Sequence, residues 1–379
     1  MSNDWALEAD DYFTEQYPLS PLDDHLIHQT PDPIRIAATT DLRFFERHWN
    51  VFHDQKGELL VVTGGSFYPN LDTAEAFAIV THKGVQRSVR AFRRIGANRG
   101  NIHVGPIQPT IVAGMREWRH VLADNDFGIR YDLTWQDTHR QMYRSAYGSI
   151  ESSKPSGGQR HVTAGFESFG RVGGWVDVEG KRIELSMADA RGTRDRHWGI
   201  GRGVGGPRLQ HDGSVPKAGW IGGVWIAFSS FAIWGPIILY PYGDGHKRYG
   251  KVRKVDRRLR FEEDTQIFLE GEIDFTLDNG EIKHVHFERM GQQTAYMTCA
   301  LYGGSPDKSI WQGEFVGDNV VQGDWYDLND SEVRKALRGL DEHHCRISCD
   351  GEITTGILQP LEPDAYFACQ RKEAGWSFL

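Results

Sequence analysis

The residues of this chain most able to do chemistry crowd into one stretch, ADARGTRDRHWGIGRG (188–203), where Asp195, His197 and Trp198 stand among Arg191, Arg194 and Arg196. A surface loop needs no tryptophan, and a core strand cannot bury so many charges without partners. The stretch is therefore either a buried polar network or an active site. In an active site, Asp195 is the first candidate. A carboxyl beside an apolar cavity keeps its proton, because desolvation disfavours the charged form. It can then protonate an alkene or a leaving hydroxyl, and its conjugate base can take a proton back. His197 is the partner acid or base, since imidazole titrates near neutrality. Trp198 would pack on the substrate and steady a developing carbocation through its π face. The competing structural reading pairs Asp195 with Arg191, Arg194 or Arg196 in a bidentate clamp, which lowers its pKa and makes it an anchor.

Further candidates lie on other segments. Glu167 sits one strand earlier, and His103 is held stiffly by the glycine and two prolines of NIHVGPIQP. Tyr131 lies in an alternating strand, and Tyr240 in ILYPYGDGH. Arg194, Trp198, Tyr131, Trp225 and Tyr240 are the expected substrate contacts, with Glu167 and His103 the reserve catalytic groups. Each also reads as an ordinary strand residue, aromatic core or solvated polar face. His343, His344, Cys345 and Cys349 are zinc-type residues, but no second ligand pair with finger-like spacing follows and adjacent histidines seldom face one ion. No metal is expected.

The elements that must position these groups are strands. GELLVVTGGSFYP and AEAFAIVTHKG read as neighbouring strands, and FGIRYDLTWQDT alternates as a half-buried strand does. RVGGWVDVEGKRIELSMADARG is a hairpin turning at Glu179–Gly180, and Asp278-Asn279-Gly280 closes another. Helix is expected only over Asp330–Gly339 and near Trp118 and Gln141. Many short strands with little helical periodicity predict an all-β chain of antiparallel barrels or sandwiches, with two similar β units in tandem. The expected organisation is an irregular, proline-spotted arm (1–38), a first β unit (39–192) and a second β unit (193–379).

Composition narrows the function. A net charge of −9 over 379 residues argues against nucleic acid and anionic membranes as partners. The one basic run, Lys251–Arg260, alternates like a solvated strand face. The N-terminus lacks a basic segment followed by an apolar one, and the most apolar window, Trp220–Tyr240, is broken by glycines and a proline, so neither a secretory signal nor a membrane span is expected. Four cysteines without a repeated CxxC pattern suit a cytoplasmic location. Neither a dinucleotide fingerprint nor a Walker motif is present, so no cofactor is expected.

The segment from Phe166 to Arg202, FESFGRVGGWVDVEGKRIELSMADARGTRDRHWGIGR, resembles the RDHxWG motif region of the AttH-like and carotenoid 1,2-hydratase (hydroxyneurosporene synthase) proteins. The match centres on Gly192, Arg194, Asp195, His197, Trp198 and Gly199 and covers about a tenth of the chain. It departs from the pattern where the imidazole has moved by one position, which in a strand turns it to the opposite face. The resemblance implies two lipocalin-like barrels, a ligand cavity in or near the first, the Asp-Trp motif near their junction, and chemistry without a redox cofactor. The resulting expectation is a cofactor-independent acid–base lyase, hydratase or isomerase acting on a hydrophobic small molecule such as a terpenoid, steroid, polyketide or aromatic catabolite. The alternatives are a non-catalytic carrier of a hydrophobic ligand, and a scaffold whose second barrel is the surface of a homodimer.

Overall fold

A computed structural model describes residues 37–96, 98–145, 162–200, 204–205, 224–235, 237–242, 249–297, 310–338 and 341–360. Nearly all of the arm expected over 1–38 lies outside them, as do Trp220 and two of the four cysteines, Cys299 and Cys369.

The first eleven strands are β1 (Phe44–His53), β2 (Leu59–Tyr68), β3 (Thr73–His82), β4 (Val85–Arg93), β5 (Ile107–Ala113), β6 (Glu117–Leu122), β7 (Ile129–Asp137), β8 (Met142–Ser145), β9 (Val162–Val178), β10 (Lys181–Leu185) and β11 (Arg191–Ile200). They form one antiparallel sheet in the order β4-β3-β2-β1-β11-β9-β7-β6-β5, with β8 and β10 also paired to β9. The second half supplies β12 (Val224–Ala227), β13 (Ala232–Trp234), β14 (Ile237–Leu239), β15 (Tyr249–Phe261), β16 (Phe268–Leu277), β17 (Ile282–Tyr296), β18 (Val320–Asp327), helix α1 (Ser331–Leu337), β19 (Asp341–Cys349) and β20 (Glu352–Leu358). Eight of these close a barrel, with β12 pairing β20.

The all-β reading holds. The second unit is a closed barrel, and the first is a sheet curled so far that Ala76 and Val89 near one edge share a core with Ile107 and Trp118 near the other. Pairing along the whole of β11 carries this sheet past the expected boundary at 192/193, and β18 from the second half adds to its β4 edge. The expected turns are in place: Glu179 and Gly180 both have positive φ between β9 and β10, and Gly280 does so between β16 and β17. Lys251–Arg260 lies in β15, where Arg258 and Arg260 pair with Glu272, Asp274 and Glu270 of β16. Among the described residues, no helix forms near Trp118 or Gln141. Trp118 is a fully buried residue of β6, and Gln141 stands just before β8.

β1 is buried on both faces, because the sheet has two neighbours. Its inner face packs Phe52 with Trp118, Tyr131 and Trp135 in the curled sheet's own core. Its outer face packs Trp49 and Val51 against Trp225, Trp234, Ala295 and Ile357 of the barrel. Side chains alternate along a strand, so successive residues of β11 point to two different chemical environments.

Candidate functional site

Register assigns each charged residue of β11 to a face. Asp195 lies opposite Trp49 of β1 and Glu167 of β9, and His197 lies opposite Arg47 and Gly165. These residues share the outer face, toward the barrel. Arg194 and Arg196 fall on the inner face, opposite Asn50 and His48. There Arg194 pairs with Asp137 at 3.2 Å and Arg196 with Glu46, all four side chains wholly buried. The adjacent arginines are thus engaged by carboxylates behind the sheet, on the face away from Asp195.

On the outer face, Glu167, Asp195 and His197 converge and are buried, each offering an atom within 4.8 Å of the others. His197 Nε2 is 3.3 Å from Glu167 Oε1, and Nδ1 is 3.6 Å from Asp195 Oδ2. Arg47 Nη2 lies 3.2 Å from His197 Nδ1. A guanidinium only donates, so Nδ1 accepts, and the ring proton sits on Nε2 facing Glu167. The Trp225 indole donates to Glu167 Oε2 at 3.1 Å and packs on Trp49 with ring centroids 5.0 Å apart. Glu167 is therefore held on both oxygens and orients the imidazole. Gly165 makes room for that ring, since a Cβ there would stand 2.0 Å from His197 Cδ2.

The three ligand-type residues are close enough to share an ion, but the Arg47 guanidinium already supplies positive charge at the imidazole. The arrangement suits proton transfer between a hydrogen-bonded imidazole and a neighbouring carboxylate.

The barrel contributes a carboxyl that sequence reasoning missed. Glu342 of β19 is 1% exposed, and Gln359 donates to its Oε1 at 2.6 Å. Burial pushes its pKa up to about 8, with the charges of Asp341 and Asp195 adding to the rise. Two residues on, His344 sits on the same face with its ring 4.6 Å from that of His53 of β1. Burial holds both imidazoles below their usual range, His53 at about 4. The only sequence signal was the run of titratable residues in DEHHC, which attracted a zinc reading. Alternation separates its two histidines, sending His343 beside Phe268 and His344 to the sheet.

The remaining expected site residues lie elsewhere. Tyr131 points into the inner core and donates to Thr63 Oγ1 at 2.9 Å, because β7 turns it to that face. Trp198 is half-buried on the inner side, its ring 5.7 Å from the Arg196 guanidinium. His103 is exposed on the loop before β5, where Asn101 and Arg93 bond its backbone and leave the ring outside. Tyr240 packs against the interior of the second barrel. Of the expected contacts, Trp225 alone reaches the cluster; the sheet separates Arg194, Tyr131 and Trp198 from it. A concavity of about 480 Å³ outside the second barrel is lined by Arg258, Asp274, His284, His286 and Asp350, remote from these groups.

Residues 19–232 match the model of a family of unknown function, DUF8625. No curated protein matches in sequence. Among solved structures, kievitone hydratase from Nectria haematococca is similar with a TM-score of 0.42 and 10% identity, over 89% of this chain and 97% of that one. CghA with Sch210972 is similar with a TM-score of 0.42 and 9% identity over 89% and 97% of the two chains. A second structure of CghA gives 0.40 and 9% over 84% and 89%. Among the described residues, no helix is long and apolar enough to cross a membrane.

Proposed function

We propose that this chain, which belongs to the DUF8625 family of unknown function, is an acid–base lyase, hydratase or isomerase whose reaction takes place where the curled sheet meets the barrel. The observation that carries this reading is the convergence of buried Glu167, His197 and Asp195 on one face while Arg194 and Arg196 are neutralised on the other. Charges are not gathered in a protein interior without return, and such clusters mark functional sites more often than structural ones. Asp195 and His197 move the proton, and Glu167 positions the imidazole.

The surroundings favour an apolar substrate. Trp49, Phe169, Trp225, Trp234 and Ile357 form the packed layer about the cluster. Aromatic walls with few, convergent polar groups suit a hydrophobic small molecule, of the terpenoid, steroid, polyketide or aromatic kind. The resemblance of the Phe166–Arg202 motif to the AttH-like and carotenoid hydratase proteins points the same way. The reaction needs no redox partner, because adding or removing water, or shifting a double bond, requires only an acid, a base and a shaped site.

The test is a panel of unsaturated and hydroxylated compounds of those classes, followed by mass spectrometry for gain or loss of water and by chromatography for isomers. Wild-type turnover that Asp195→Asn and His197→Asn both abolish while remaining folded is the expected result. Turnover that survives both substitutions, or an absence of turnover across the panel, overturns the assignment.

A further inference from the structure

Glu342 has no role in the chemistry so far, yet the fold carries it to the same junction. It pairs in register with Ala295 of β17, and His344, two residues on and on the same face, pairs with Ile357 of β20. Both Ala295 and Ile357 belong to the layer that contains Trp49 and Trp225. The face of β19 bearing Glu342 is therefore the face turned toward Asp195. Its Oε1 is fixed by the Gln359 amide, and its Oε2 is buried with no hydrogen-bond partner. An unsatisfied buried carboxyl oxygen is destabilising, a cost that a ligand or water binding there would remove.

We propose that Glu342, supplied by the second barrel, is the proton donor of the junction site, with Asp195 on the opposing sheet as its basic counterpart. This rests on the acid–base reading above and names the group that delivers the proton. Two buried carboxyls whose charges act on each other cannot both ionise cheaply, so one keeps its proton and the other does not. Asp195 shares its face with the Arg47 guanidinium, a cation held on the His197 ring. Glu342 is turned toward Asp195, feels the charge of Asp341 next to it in the chain, has His344 two residues on, and accepts its hydrogen bond from a neutral amide; it keeps the proton.

In the elimination direction, the substrate's carbon–oxygen bond breaks with its electron pair on oxygen, which takes the Glu342 proton and leaves as water. The neighbouring carbon–hydrogen bond breaks, its proton passes to Asp195, and its electrons form the double bond. One proton has moved from Glu342 to Asp195, and its return resets the pair. Hydration is the reverse.

The experiment is infrared spectroscopy of the intact chain, without substrate, across a pH series. Wild type is expected to show protonated-carboxyl absorption near neutral pH to which Glu75 also contributes, and Glu342→Gln removes the component that belongs to Glu342 while Glu75→Gln leaves it. In Asp195→Asn the band persists but titrates at lower pH, because a repelling charge is gone. Glu342→Asp serves as the second variant if the glutamine form fails to fold, and its band is expected to move. No band assignable to Glu342 near neutrality, or a band whose titration ignores Asp195, overturns the inference. On any substrate found by the panel, turnover lost in Asp195→Asn but intact in Glu342→Gln overturns the inference and leaves the enzymatic reading standing. Turnover intact in both Asp195→Asn and His197→Asn removes the assignment of the reaction to this junction, and the proton-donor role with it, even where the band shows the two carboxyls coupled.

Discussion

Replacing Arg196 with methionine removes a cation from a site that has no solvent to replace it. Both side chains of the Arg196–Glu46 pair are wholly buried. Arg196 Nη1 also donates to the Arg47 carbonyl at 2.9 Å and the His197 carbonyl at 3.0 Å. Removing one partner of a buried pair costs about 3–5 kcal/mol, since an uncompensated charge is left behind. The lost bonds to two carbonyls add about 1–2 kcal/mol. Arg99, whose guanidinium is 3.6 Å from the other Glu46 oxygen, holds part of the carboxylate's charge and pulls the total down. The expected loss is about 4 kcal/mol, read from urea midpoints by tryptophan fluorescence with the denaturant slope unchanged. Adding Glu46→Gln to Arg196→Met should recover about 2 kcal/mol, because the stranded charge is gone. Asp195→Asn should stay within about 1 kcal/mol of wild type, since it is nearly isosteric and leaves the Arg194–Asp137 and Arg196–Glu46 pairs in place. Arg196→Met costing under about 1 kcal/mol, or Asp195→Asn costing as much as Arg196→Met, would refute the division of labour between the two faces.

Other perturbations give equally definite outcomes. Glu75 and Glu342 have folded pKa values near 8 against an ordinary 4.5, so between those limits the folded chain binds more protons than the unfolded one and stability falls as pH rises. The buried histidines His53 and His139, near 4 in the fold, act oppositely, losing stability as pH falls below 6.5. From 6.5 to 8 the glutamates dominate, at about 2 kcal/mol each; Glu75→Gln should roughly halve the slope of urea midpoint against pH. Gly165→Ala must displace the His197 ring, and a histidine-selective NMR spectrum should show its imidazole resonances moved. Trp225→Phe keeps the packing on Trp49 but removes the bond to Glu167, costing about 1 kcal/mol in thermal or urea unfolding.

Local pattern carried much of this fold. The Glu179–Gly180 and Asp278–Gly280 turns, the β15 ion-pair face and the helix after Asp330 all follow from residues close in sequence, which is why they could be read. Alternation divides Asp195 and His197 from Arg194 and Arg196 once β11 is known to be a strand over its whole length. What it could not supply was the partners: Glu46 and Asp137 reach the arginines from strands far away in sequence, so a clamp on Asp195 remained as plausible as an open carboxyl. Trp118 and Gln141 were misread because a short apolar stretch fits a buried strand as well as a helix. Tyr131 and Trp198 carry suitable chemistry, but only the completed sheet shows that they point away from the cluster. Glu342 was hidden for the same reason: its significance comes from a barrel face docking on a sheet whose contacts are non-local.

The most direct test is a crystal of the intact chain soaked with an unsaturated or hydroxylated terpenoid or steroid that the wild type converts, using Asp195→Asn to hold the substrate unreacted. Ligand density at the junction, within hydrogen-bond distance of residue 195 or His197 and bordered by Trp49 and Trp225, is the predicted result. Density on the inner face beside His48 and Tyr131, with the junction unchanged, would contradict it.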